Sequence, residues 1–116
     1  MLIRIDPSSA VPLYEQFAAS VRGAIADGSV AAGQRLPSAR DLAASLDVNV
    51  HTVLRGYQEL RDEGLIELRR GRGAVVMGDA SARGRVLAAV REAAAEARRY
   101  GMSTADLLDL VKKEMT

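Results

Sequence analysis

Two short stretches of this 116-residue chain carry side chains able to grip a polyanion. The first runs from Asn49 to Glu63. Laid out as a helix at about 100° per residue, it places Val50, Val53, Leu54, Tyr57 and Leu60 on one side and His51, Thr52, Arg55, Gln58, Glu59 and Asp62 on the other. The second is Arg69-Arg70-Gly71-Arg72-Gly73, three guanidinium groups around two glycines that permit the positive φ of a tight turn. Arg55 and His51 are the residue types that read base edges, since Arg matches the two acceptors of guanine and a neutral His gives or takes one bond. Thr52 and Asn49, at the start of the helix, suit phosphate oxygens. The polar side is also graded along its axis, from His51, Thr52 and Arg55 to Glu59, Asp62 and Glu63. Such a helix can meet a polyanion only by its N-terminal end, which is how the second helix of a helix-turn-helix enters the major groove.

Catalysis is a poor fit to the same residues. No nucleophile stands beside a base, no glycine-rich loop joins a strand to a helix, and Asp62 and Glu63 are neighbours on a helix and so point apart. There are no cysteines, and a single histidine cannot assemble a zinc site with its own kind. No metal and no cofactor are expected. The net charge is +1, with arginines and acids balanced over residues 1 to 78, so attraction for nucleic acid must come from local placement rather than a global field. Neither a charged-then-apolar leader nor an apolar run of about 18 residues is present, which excludes a spanning helix and predicts a cytoplasmic protein.

The elements that would position these groups can be read from their punctuation. Leu36-Pro37-Ser38-Ala39-Arg40-Asp41 combines a proline, an N-cap serine and an acid three residues on, which starts a helix at Ser38 carrying Leu42, Ala43 and Leu46 on its apolar side. Arg40 lies in its first turn, where a cation opposes the helix dipole, and is a candidate phosphate contact. Asp47-Val48-Asn49 then leaves only a tight turn before the Asn49 to Glu63 helix, so the two must cross steeply. Gly64 closes that helix, Leu65 to Leu68 alternates as a strand, and Ala74-Val75-Val76 returns beyond the Arg-Gly turn as a second one. Arg70, Gly71 and Arg72 thus sit at the tip of a wing, with only Glu67 nearby to pair with and a phosphate backbone or minor groove as the fitting partner. Upstream, Pro12 to Asp27 predicts a helix with Leu13, Phe17, Val21, Ala24 and Ile25 on one stripe. Gln34-Arg35-Leu36 suits a short strand beside the wing, and residues 1 to 11 suit either an arm or an edge strand.

These motifs resemble the winged helix-turn-helix of GntR-type bacterial transcription regulators. Pro12-Leu13-Tyr14-Glu15-Gln16, Gly28 through Ala43, Thr52 through Ile66 and Gly71 through Val76 carry the likeness, which spans most of residues 10 to 77. Thr52-Val53-Leu54-Arg55-Gly56-Tyr57, with a short tail after the wing, is most similar to the YtrA-type subfamily. The resemblance implies DNA contacts at Arg40, Asn49, His51, Thr52, Arg55, Arg70, Gly71 and Arg72, and regulation, with repression as the expected sign, of the regulator's own operon. The chain departs from the family at Val50, His51 and Gly56, so the family's base-reading code does not transfer. Gly56, where Ala is usual, costs the helix about 0.5–1 kcal/mol unless something packs against its backbone.

Beyond the wing, Gly78-Asp79-Ala80-Ser81 is expected as a linker, Ala82 to Tyr100 as an alanine-rich helix, and Ser103-Thr104-Ala105-Asp106 as the capped start of a last helix. Two helices of about 35 residues in all cannot bury their own apolar faces, so Leu87, Val90, Ala94, Leu107, Leu108 and Val111 are expected to pair with a second copy. The same shortness leaves no room for a separate effector pocket of roughly 300 Å³, so any small molecule would sit between the two copies. The expected architecture is mainly α with a small β wing: a winged helix-turn-helix over 1–78 and a two-helix dimerisation segment over 79–116. The expected partners are double-stranded DNA and a second copy, with no membrane; a winged helix that binds protein instead of DNA is the alternative.

Overall fold

A computed structural model describes residues 3–71 and 73–116. The order is α1 (Leu13–Ala26), α2 (Ala39–Leu46), α3 (Val50–Asp62), β1 (Ile66–Arg69), β2 (Gly73–Val76), α4 (Ala80–Tyr100) and α5 (Thr104–Met115). It forms two compact units, one ending at Gly84 and one running from Arg85 to Thr116.

Local chemistry sets the helix ends of the first unit. Ser38 Oγ accepts from the Asp41 amide at 3.1 Å and caps α2, while Asn49 Oδ1 accepts from the His51 amide at 2.8 Å and caps α3. Each satisfies a first-turn amide that has no carbonyl partner within the helix. Between them Asp47 adopts the left-handed conformation at φ 55°, which a short polar side chain tolerates and which turns the chain in three residues. β1 and β2 pair antiparallel with Ile66 opposite Val76 and Arg69 opposite Gly73. Residues 34–36 flank the other edge of β2: the Leu36 amide donates to Ala74 O, the Val76 amide donates to Gln34 O, and Arg35 bridges Val75.

α1 and α3 form the centre. Phe17, Val21, Ile25, Val53, Leu60 and Leu65 are fully enclosed, each burial contributing about 1.5–3 kcal/mol. Phe17 meets the Tyr57 ring edge-on at 5.3 Å between centroids. A Cβ on Gly56 would lie 2.3 Å from Phe17 Cδ2 and 3.2 Å from Tyr14 O, so the glycine is what lets α1 approach α3 this closely. At the far end Arg22 grips Glu63 through two hydrogen bonds of 2.8 Å, a pair largely withdrawn from water.

The structure corrects two expectations here. Leu54 does not join the core; it is 39% exposed. Its angle on α3 lies at the edge of the apolar side, and the hairpin across from it leaves an open depression rather than a packed contact. Nor is Gly78 to Ser81 all linker, because the helix already begins at Ala80, which is fully buried. Ser81 Oγ donates to Ala26 O and Arg83 Nε to Glu63 O, so the first turn of α4 belongs to the winged unit. Residues 3–12 contain no strand; Gln16 holds them as a turn, accepting from the Asp6 amide and donating to Asp6 O and Val11 O.

In the second unit Gly101 ends α4 at φ 84°, with the Met102 amide returning to Ala97 O. Ser103 Oγ then accepts from the Asp106 amide and starts α5. Ala97 is buried and Leu87, Ala94 and Leu107 are half-buried, whereas Val90, Leu108, Leu110 and Val111 are about half exposed and Met115 more so.

Candidate nucleic-acid interface

The polar side of α3 faces solvent between two depressions. One, of about 450 Å³, is lined by Leu13 and Tyr14 of α1 and by Asn49, His51, Thr52 and Arg55 at the start of α3. Here the Arg55 guanidinium lies over the Tyr14 ring, 3.8 Å from its centroid. Stacking removes much of the side chain's rotamer freedom and leaves the in-plane N–H groups free to donate, the arrangement that suits a guanine edge or a phosphate. The other depression, of about 400 Å³, lies between α3 and the wing, with Leu54 on one wall and Leu68 and Ala74 on the other.

Four of the expected contact residues, Asn49, His51, Thr52 and Arg55, are therefore brought together. Asn49 and His51 are exposed and Thr52 is half-buried. Asn49 commits its Oδ1 to capping, so its amide N–H groups are the donors available to a phosphate. Arg40 is exposed in the first turn of α2, directly after Ser38 and Ala39, which line the second depression. In the wing, Arg70 is exposed and Gly71 turns the chain at φ 81°; Arg72 lies outside the described residues. Arg69 is engaged, with Nε 2.9 Å and Nη2 3.1 Å from the two oxygens of Glu67. That pairing lowers the Glu67 carboxyl below its usual range and raises Arg69. Burial pushes the Tyr57 phenol up, and its hydroxyl donates to Pro37 O, so it is a core group rather than a contact.

Two residues were missed by sequence reasoning. In the sequence Tyr14 appears only as part of a motif, because its approach to Arg55 is a tertiary contact. Leu54 was read as core, although it stands three residues after His51 and four before Gln58 and so shares their exposed stripe.

A family model described as bacterial regulatory proteins, gntR family, matches residues 13–76, more than half of the chain. The chain belongs to the GntR family. Over 75 residues it is 41% identical to the HTH-type transcriptional repressor YtrA of Bacillus subtilis, covering 65% of this chain and 58% of that protein. It is 31% identical over 106 residues to an HTH-type transcriptional regulator of Mycobacterium tuberculosis, covering 91% of this chain and 88% of that one. Among solved structures it is similar to YtrA from Sulfolobus acidocaldarius, a GntR-family transcription factor, at 37% identity and a TM-score of 0.64, over 82% of this chain and 99% of that chain. As a GntR protein it is a DNA-binding transcription regulator, not an enzyme, built as a winged helix-turn-helix with added C-terminal helices. Among the described residues no helix is long and apolar enough to cross a membrane.

Proposed function

We propose that this GntR protein is a cytoplasmic repressor that binds a palindromic operator as a homodimer. α3 enters the major groove by its N-terminal end, with His51 and Arg55 on base edges and Asn49, Thr52 and Arg40 on phosphates. Arg70, Gly71 and Arg72 of the wing take the backbone or the minor groove. The observation that carries this reading is the grouping of Asn49, His51, Thr52 and the stacked Arg55 at the leading end of α3, while of the acids at its other end Glu63 is tied to Arg22. Repression is proposed by analogy with the Bacillus subtilis relative, a transcriptional repressor.

The second copy is the cover for the apolar residues of α4 and α5. Val90, Leu108 and Val111 stand about half exposed beside Leu87, Ala94 and Leu107. Exposed apolar positions repeated at helical spacing are stabilised by burial against an identical face. Selection of bound duplexes from a random pool tests the whole reading. A palindrome with half-sites about 34–36 Å apart, or a multiple of that, is the expected product; recovery of no preferred sequence, or of a single unpaired half-site, would overturn it.

A further inference from the structure

The groove between α3 and the wing is apolar where the rest of the interface is polar. Two of the large exposed apolar side chains of the winged unit, Leu54 at 39% and Leu68 at 36%, line it from two different elements, with Ala39 and Ala74 between. Its polar groups are already engaged. Tyr57 donates its hydroxyl to Pro37 O, Ser38 Oγ accepts from the Asp41 amide, and Arg69 pairs with Glu67. What the groove offers a ligand is therefore an apolar wall, with the cation of Arg70 at its rim.

On α3, Leu54 falls between His51 and Gln58 on the stripe that leads into the major groove, so it is the apolar member of an otherwise polar reading surface. B-form DNA presents one apolar group in that groove, the 5-methyl of thymine; every other feature of the base edges is a hydrogen-bond donor or acceptor or a small C–H. The geometry points to Leu54 as a specificity-determining residue that selects a thymine in each half-site by packing on its methyl group. The inference rests on the DNA-reading role of α3 proposed above and adds a base identity to it.

The test uses the full-length protein and the selected operator. Each thymine is replaced in turn by deoxyuridine, which removes the methyl and keeps every hydrogen bond. One thymine per half-site is expected to show a loss of about fourfold in affinity, the worth of one buried methyl. With Leu54→Ala the thymine and uracil duplexes should bind equally at that position, at an unchanged melting temperature because the side chain is outside the core. With Leu54→Arg, a repeated selection should exchange that thymine for guanine. The inference is overturned if no thymine is methyl-sensitive, or if the sensitivity survives in Leu54→Ala. Selection of no duplex at all would instead sink the DNA-reading role on which it depends.

Discussion

The two units of this chain carry helices of similar amphipathic pattern and reach opposite outcomes. In the winged unit Phe17, Val21, Ile25, Val53 and Leu60 have no exposed surface, whereas in the C-terminal unit Ala97 alone of the apolar side chains is buried and Val86, Val90, Leu108, Leu110 and Val111 stand about half exposed or more. The difference lies in what each helix has to pack against. α1 packs on α3, and α3 also packs on α2 and β1, so the stripes are covered from several directions. α5 has one neighbour in its unit and a stripe wider than one neighbour covers. A hydrophobic period in sequence thus predicts a buried face, but not whether the same chain buries it.

That contrast can be broken most directly at its two centres. Phe17→Ala should cost the winged unit about 3–5 kcal/mol, enough to unfold most of it, as followed by thermal melting. Leu108→Glu should leave the melting of the winged unit unchanged and, where the proposed second copy covers this face, give monomers in sedimentation. Affinity for the palindrome should then fall on the order of a hundredfold, toward that of one half-site, as the second contact loses its effective concentration. A dimer that persists would place the contact between copies in the winged unit. Arg55→Ala should cost about 1–3 kcal/mol on the operator and much less on random duplex. Tyr14→Phe should retain the stack and the affinity, and Tyr14→Leu should lose part of both; equal behaviour of the two would mean the stack does not position Arg55.

A cut after Gly84 should give a winged unit as stable as in the full chain. A cut after Gly78 should lose about 1–2 kcal/mol, because it removes buried Ala80 and the bonds from Ser81 and Arg83. Equal stabilities would put the boundary back at the wing. The smallest effect is with pH. Asp6 and Asp27 are held below their usual range by hydrogen bonds from Ser8 and Ser29, and Glu67 by Arg69. Each favours the folded state while ionised, so the stabilisation is complete above the unfolded carboxyl range near about pH 4 and fades as pH falls through the lower folded values. Melting temperature against pH should therefore stay flat to that range and decline below it, less so in Asp27→Asn.

What could be read from the sequence was local. The caps at Ser38 and Ser103 and the stop at Gly101 depend on a side chain and a backbone only a few residues apart, and each stands where its pattern predicts. Gln34 to Leu36 is expected as a short strand beside the wing, and these residues do flank β2, although their partners lie about 40 positions away in the chain. Arg55 on Tyr14 and Arg22 on Glu63 join distant parts of the chain, and nothing in the spacing of either residue announces its partner. Leu54 was misread because its place on the wheel is marginal: on a wing-facing flank, exposure is decided by where the hairpin stops, not by period.

The contact between Gly56 and Phe17 has a further meaning for how this protein can change. A methyl at position 56 would raise helix propensity, yet it cannot fit while Phe17 occupies the space 2.3 Å away. A smaller side chain at position 17 alone would leave a void. The two sites are therefore epistatic: either single step passes through a less stable protein, while the joint exchange to alanine at 56 and a slimmer aliphatic at 17 remains open. Mutational drift along α1 and α3 is coupled, and an alanine engineered into α3 for stability alone would bring the opposite result.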